Sequence, residues 1–267
     1  MLRRWGVPLA TLALLAGSAL AAASATAATA PPSVPRTVVP GGLVGHLIRP
    51  GSTAAVHGRI RNQAYSTNWS GYAATGRTYT SVSANWTEPR GSCTASNQYA
   101  AFWVGLDGYN SSTVEQTGTL IYCSGTTAQY YAWYEMYPAN PVYFNVSVVP
   151  GDHLSASVTY DGGSQYTLRL ADSTRGWSES INQSLSGAAR SSAEAIVEAP
   201  CCTSSGAPLP LADFHTASFT GTTANGSAIG NFGPTQIIMV DNSGQEKDTI
   251  SSLSGGENFS ATWLRSN

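Results

Sequence analysis

Two short stretches place carboxylates where they could do chemistry. The first, Tyr130–Pro138, reads YYAWYEMYP and sets Glu135 among four tyrosines and a tryptophan. The second, Ser192–Pro200, reads SAEAIVEAP and closes an apolar run on Glu198, just ahead of a proline. Read as strands, period-two alternation puts Tyr131, Trp133, Glu135 and Tyr137 on one face, and gathers Glu194, Ile196 and Glu198 on one face of the second strand. A carboxylate held against rings and away from water has its pKa raised. A raised pKa is one route to general acid or base work. The plainer alternative is an ordinary carboxylate at a rim.

Other hydrolytic chemistries lack their residues. Beyond residue 62 the only histidines are His153 and His215, and neither lies near a G-x-S-x-G nucleophile turn. No D-T-G or D-S-G pair is present; the nearest look-alike is Gln116-Thr117-Gly118, an amide where an acid would stand. There is no C-x-x-C, and the four histidines are scattered, so no metal or other cofactor is expected. The four cysteines are Cys93, Cys123, Cys201 and Cys202. In a secreted chain they would be oxidised, and three pairings are open to them. Cys93–Cys123 is the preferred bridge. Cys201 and Cys202 stay unassigned between a vicinal bond and two long-range ones.

The elements that must position these residues begin well into the chain. Residues 1–30 read as a signal peptide: Arg3 and Arg4, an apolar run from Val7 to Ala23, then small-residue sites such as Ala28-Thr29-Ala30. Secretion follows from that pattern. No later stretch has the roughly 20 apolar residues needed to span a membrane. Residues 31–62 are rich in proline and glycine and carry Arg36, Arg49, Arg59 and Arg61 with no acid. From residue 63 onward seven basic residues face 15 acidic ones, a formal charge of −8. A basic pro-segment lying over an acidic cleft, and released as carboxylates protonate, is one reading of that asymmetry. A plain linker is the other. The acidic body speaks against nucleic acid as a partner, and nothing points to an obligate partner beyond a monomer.

Residues 63–267 can bury one sizeable core. Their texture is all-β: Thr, Ser, Val and Tyr abound, with turn residues between short runs. Candidate strands are Asn68–Thr75, Ala84–Glu88, Tyr99–Leu106, Gln129–Met136, Val142–Val149, His153–Tyr160, Gln165–Asp172, Glu194–Glu198, Phe214–Thr220, Gln236–Asp241 and Phe259–Leu264. Many short strands of this kind make a sandwich or a barrel.

The segments NWSGYA (Asn68–Ala73), FWVGLDG (Phe102–Gly108), VEQTG (Val114–Gly118), YYAWYEMYP and EAIVEAP together resemble the eqolisin family, the glutamic peptidases, in its actinobacterial-type branch. The similarity runs in order from about residue 64 to the C-terminus. It implies a lectin-like, two-sheet antiparallel β-sandwich of jelly-roll type and a secreted acid endopeptidase acting on proteins or peptides. It makes Gln116 and Glu198 the catalytic pair. Trp103, Asp107, Trp133 and Glu135 become cleft residues supporting the site, and Trp69 belongs to the first shared motif. Two positions depart from the fungal pattern: Leu120, where an aspartate follows Q-T-G two places on, and Met136, where a tryptophan follows W-Y-E.

The pair is chemically coherent on its own terms. An ionised Glu198 would take a proton from an attacking water and return it to the leaving amine. Gln116 would donate from its NH₂ to the developing oxyanion, while its carbonyl oxygen orients the water. Two other readings use the same residues: a glycoside hydrolase working with Glu135 and Glu198, and a non-catalytic carbohydrate-binding sandwich stacking sugars on Trp69, Trp103 and Trp133.

Overall fold

The computed structural model describes residues 1–2, 62–201 and 207–267. The expected signal peptide and pro-segment therefore lie almost wholly outside the described residues, as does Cys202. The chain divides into two compact units, Met1–Arg36 and Thr37–Asn267, and every strand among the described residues belongs to the second.

Among the described residues sixteen strands follow one another: β1 (Gln63–Ser66), β2 (Trp69–Thr75), β3 (Ser81–Thr87), β4 (Tyr99–Leu106), β5 (Val114–Ser124), β6 (Thr127–Tyr137), β7 (Val142–Tyr143), β8 (His153–Gly162), β9 (Gln165–Asp172), β10 (Trp177–Ser184), β11 (Ser192–Glu198), β12 (Thr216–Ala224), β13 (Ser227–Ala228), β14 (Thr235–Met239), β15 (Asp248–Ile250) and β16 (Phe259–Trp263). One sheet has the order β1-β14-β2-β11-β4-β5-β6-β7 and the other β10-β9-β8-β3-β12-β16-β15, with β13 pairing β12. Every strand pair is antiparallel except β1 with β14. The expected two-sheet antiparallel β-sandwich is the fold.

The main core fills the space between the sheets. Tyr72, Phe102, Val104, Leu106, Ile121 and Val197 from the first sheet meet Trp86, Leu154, Val158, Leu168, Phe219 and Phe259 from the second. The opposite face of the first sheet carries its own cluster: Trp69, Ala101, Trp103, Leu120, Trp133 and Ile196. Both faces of its central strands are thus covered, and β4 and β11 are buried at every position, Glu194 and Glu198 included. The second sheet instead turns Asn85, Thr87, Ser155 and Ser218 outward, the one-sided pattern of an antiparallel layer. Alternation in β6 is as the sequence implies: Tyr130, Ala132, Tyr134 and Met136 face the main core, while Tyr131, Trp133 and Tyr137 join the second cluster.

The expected strand at Val142–Val149 is a correction: only Val142 and Tyr143 pair, against Tyr134 and Trp133. The segment crosses from the edge of the first sheet toward β8 and leaves the ladder after Phe144, whose N–H still reaches the Ala132 carbonyl at 2.9 Å. Five strands were not anticipated: β1, β5, β10, β13 and β15. β10 (WSESINQS) is an edge strand whose half-buried face mixes Trp177 and Ile181 with Glu179 and Gln183, too weak an apolar pattern to announce it. In β5 the Gly118 in mid-strand reads as a break. Its reason is spatial: a Cβ there would stand 2.0 Å from the Phe102 carbonyl oxygen and 2.6 Å from Trp103 Cβ. Cys93 and Cys123 form the expected disulfide. Cys201 is also disulfide-bonded.

Candidate active site

Register brings the chemistry-bearing side chains onto the outer face of the first sheet in successive rows. Gln116 on β5 lies opposite Glu135 on β6 and Gly105 on β4. One row on, Gly118 sits between Trp103 and Trp133. A further row pairs Glu198 with Ala101 on one side and Trp69 on the other, and Ala101 in turn with Leu120. Each is fixed by strands buried on both sides, so the placement is rigid.

Trp103 connects the outer rows. Its indole Nε1 donates to Glu198 Oε2 at 2.9 Å. The far edge of the same ring comes within 2.9 Å of where a Cβ on Gly105 would be, beside Gln116. Gly105 therefore makes room for the ring that spans from Glu198 toward Gln116. Trp69 stands edge-on to Trp103, with centroids 4.8 Å apart at 75°, a favoured aromatic arrangement that locks the indole. The other oxygen of Glu198 accepts from Asn68 Nδ2 at 3.2 Å. Asn68 is itself oriented by the Ser66 hydroxyl, which donates to its Oδ1 at 2.8 Å. Two fixed N–H donors on one buried carboxylate are suited to a charged group, because charge-assisted hydrogen bonds are the stronger kind.

Gln116 is buried and its Nε2 donates to Glu135 Oε2 at 2.7 Å. One hydrogen of that NH₂ group remains, and Oε1 has no hydrogen-bond partner. Burial pushes the Glu135 carboxyl up to about 9; the negative charge of Glu198 adds to this, and the Gln116 hydrogen bond opposes it. Glu135 is accordingly a neutral acid at acidic and neutral pH, and the coupling shows that its carboxyl lies within reach of the field of Glu198.

Asp107 has a different place. It adopts a left-handed φ of 72° at the end of β4. Its carboxylate accepts from the Arg190 and Ser191 backbone N–H groups and from the Ser111 and Ser191 hydroxyls. It ties the loop after β4 to the start of β11, and so sets the strand that carries Glu198. Glu194 shares the face of Glu198 but sits four residues away, opposite Gly105; burial drives its carboxyl well above the usual range. Two residues that hold the site, Asn68 and Ser66, escaped the sequence reading. Their only signal was the position of Asn68 at the head of the NWSGYA motif. Among the described residues no group of three or more His, Cys, Asp or Glu could hold a metal.

The arrangement has recognisable counterparts. The family model for the Peptidase A4 family matches residues 67–263. Aspergillopepsin-2 from Aspergillus niger is 30% identical over 209 residues, 67% of this chain and 71% of its own length. Among solved structures, scytalido-glutamic peptidase with a transition-state analog inhibitor superposes with a TM-score of 0.65 at 26% identity, covering 74% of this chain and 98% of that one. SCP-B, a member of the eqolisin family in complex with the tripeptide Ala-Ile-His, gives 0.62 and 26% over the same shares. The chain belongs to the Peptidase A4 family, the eqolisins or glutamic peptidases.

Proposed function

We propose that this peptidase is an acid-active, secreted endopeptidase in which Gln116 and Glu198 are the catalytic pair. The observation that carries the reading is the contrast between two glutamates on one buried face. Glu198 has an indole N–H and an amide N–H aimed at its two oxygens, whereas Glu135 is held neutral and pairs with an amide. Environments that drive two carboxyls apart assign them different roles. Glu198 is the one equipped to accept a proton from water and return it to the leaving amine. A carboxylate is a weak base, which suits that work to the acid side.

Gln116 supplies what the tetrahedral intermediate needs. Its remaining NH₂ hydrogen can donate to the oxyanion, and its unpaired Oε1 can accept from the attacking water. A single oxyanion donor is worth about 3–4 kcal/mol in comparable sites. Glu135 acts on Gln116, fixing its amide through that hydrogen bond. The Cys93–Cys123 disulfide supports an oxidising destination. The two carbohydrate readings gain nothing from the comparisons, since the family is one of peptidases.

The test is hydrolysis of denatured casein from pH 2 to 8 by the wild type, Glu198→Ala and Gln116→Ala. Acidic turnover lost in both folded variants is the expected result. An active, well-folded Glu198→Ala protein would sink the assignment.

A further inference from the structure

We propose that the indole N–H of Trp133 is a substrate-binding donor, taking a peptide backbone carbonyl about two residues from the scissile one. The inference rests on the peptidase reading above and gives one atom of that cleft a task. Four other indoles in the structure provide the contrast. Trp86 Nε1 donates to Glu88 Oε2 and Thr119 Oγ1, at 3.3 and 3.2 Å. Trp103 donates to Glu198 at 2.9 Å. Trp177 and Trp263 donate to the Ser147 and Leu211 carbonyls, at 2.9 and 3.4 Å. Trp133 is 1% exposed, and its Nε1 has no hydrogen-bond partner. A buried N–H left without an acceptor is costly, so a fold that satisfies those four indoles leaves this one open for something that arrives later.

Position says what arrives. Trp133 pairs with Gly118, and Gln116 pairs with Glu135, so Trp133 and Gln116 are diagonal neighbours on adjacent strands. Such neighbours stand about 7–8 Å apart. An extended peptide presents carbonyls on the same side every second residue, roughly 6.6–6.8 Å apart. A substrate whose scissile carbonyl meets Gln116 thus brings a second carbonyl to the level of Trp133. The cleft offers an unpaired acceptor at Gln116 Oε1 and an unpaired donor at Trp133 Nε1 on neighbouring strands. Polar atoms of both kinds match a peptide backbone, independent of side-chain identity. Trp133 is a binding residue here and takes no part in proton transfer.

The experiment replaces Trp133 with 3-benzothienylalanine, which keeps the ring shape and removes only the N–H; Trp133→Phe is the second variant. Each is assayed with a cleavable peptide and with a series in which one backbone amide at a time is an (E)-alkene isostere. Wild type should lose about 5–30-fold in kcat/KM on one isostere, mainly through KM, as expected for one hydrogen bond. The benzothienyl enzyme should show that loss on the parent peptide and no further loss on the same isostere. Additive losses in every peptide would overturn the proposal, leaving Trp133 as packing alone. A benzothienyl enzyme equal to wild type on the parent peptide would overturn it as well. A wild type that cleaves no peptide would instead bring down the peptidase reading beneath it, which the casein assay detects separately.

Discussion

Glu88 offers the sharpest test of how buried acids govern this protein. It is 1% exposed in the main core, and its Oε2 accepts from the Thr119 hydroxyl at 2.6 Å and from Trp86 Nε1. Desolvation pushes its pKa from 4.5 to about 8, despite those two bonds. Between about 4.5 and 8 the folded protein therefore holds a proton that the unfolded chain has released. The native state binds more protons, so stability falls as pH rises through that window. Below 4.5 both states are protonated and the contribution is fully present. One such group is worth about 1.4 kcal/mol per pH unit, or close to 3 kcal/mol between pH 5 and 7.

Glu88 is not alone. Burial likewise raises Glu115 to about 8, Glu135 to about 9 and Asp248 to about 7. Acting together, four groups would set a slope of up to about 5 kcal/mol per pH unit, large against the roughly 5–15 kcal/mol by which domains are stable. Glu88→Gln removes one titration while keeping an acceptor for Thr119 and Trp86. Urea midpoints at pH 5, 6 and 7 should show wild type losing stability steeply, and the variant losing up to about 1.4 kcal/mol less per unit. Parallel lines for the two proteins, or a wild-type curve flat across this range, would refute the reasoning. Lys247, lowered to about 8 by burial, titrates above the window and leaves the comparison intact.

Two further predictions concern the cleft. Glu135→Gln keeps an acceptor for the Gln116 amide and should retain most acid activity, whereas Glu135→Ala frees the amide and should cost tenfold or more in kcat; equal losses in both would remove the positioning role. A synthetic peptide of residues 31–62 should inhibit the mature enzyme more strongly toward neutral pH than at acid pH, because its arginines then meet more ionised carboxylates. Inhibition constants that do not change with pH would leave this segment as a linker.

The sandwich was legible because its strongest strands, such as Tyr99–Leu106 and Gln165–Asp172, are bounded by turns and built from apolar, aromatic and small polar residues. The strand that carries Gln116 was not. Its glycine looks like a terminator until Trp103, its partner on β4, is seen pressing against it, a contact that only the strand register reveals. The same limit hid Asn68 and the true work of Asp107. Sequence motifs marked both neighbourhoods, but only register shows that Asn68 meets Glu198 across 130 residues while the Asp107 carboxylate is spent on Arg190 and Ser191. Alternation in Tyr130–Pro138, by contrast, is local, and it correctly placed Trp133 with Tyr131 and Tyr137 on one face, the outer face of the first sheet.

The chemistry proposed for the cleft also explains why an amide stands where an acid protease would carry a second acid. A tetrahedral intermediate bears negative charge, and here it would form beside Glu198 on a face shared with Glu135 and Glu194. Another ionised group at position 116 would oppose that charge in a medium of low dielectric. Gln116 donates without carrying charge, and Glu135, kept protonated by burial and by the charge of Glu198, can hold the amide without adding repulsion. Raising the pH through the range where Glu135 ionises would place a second negative charge 2.7 Å from the Gln116 nitrogen. That charge would compete with the oxyanion for the same NH₂ group. On this reading the acid preference comes from the basicity available to Glu198, and ionisation of Glu135, raised to about 9, would add a second loss only on the alkaline side.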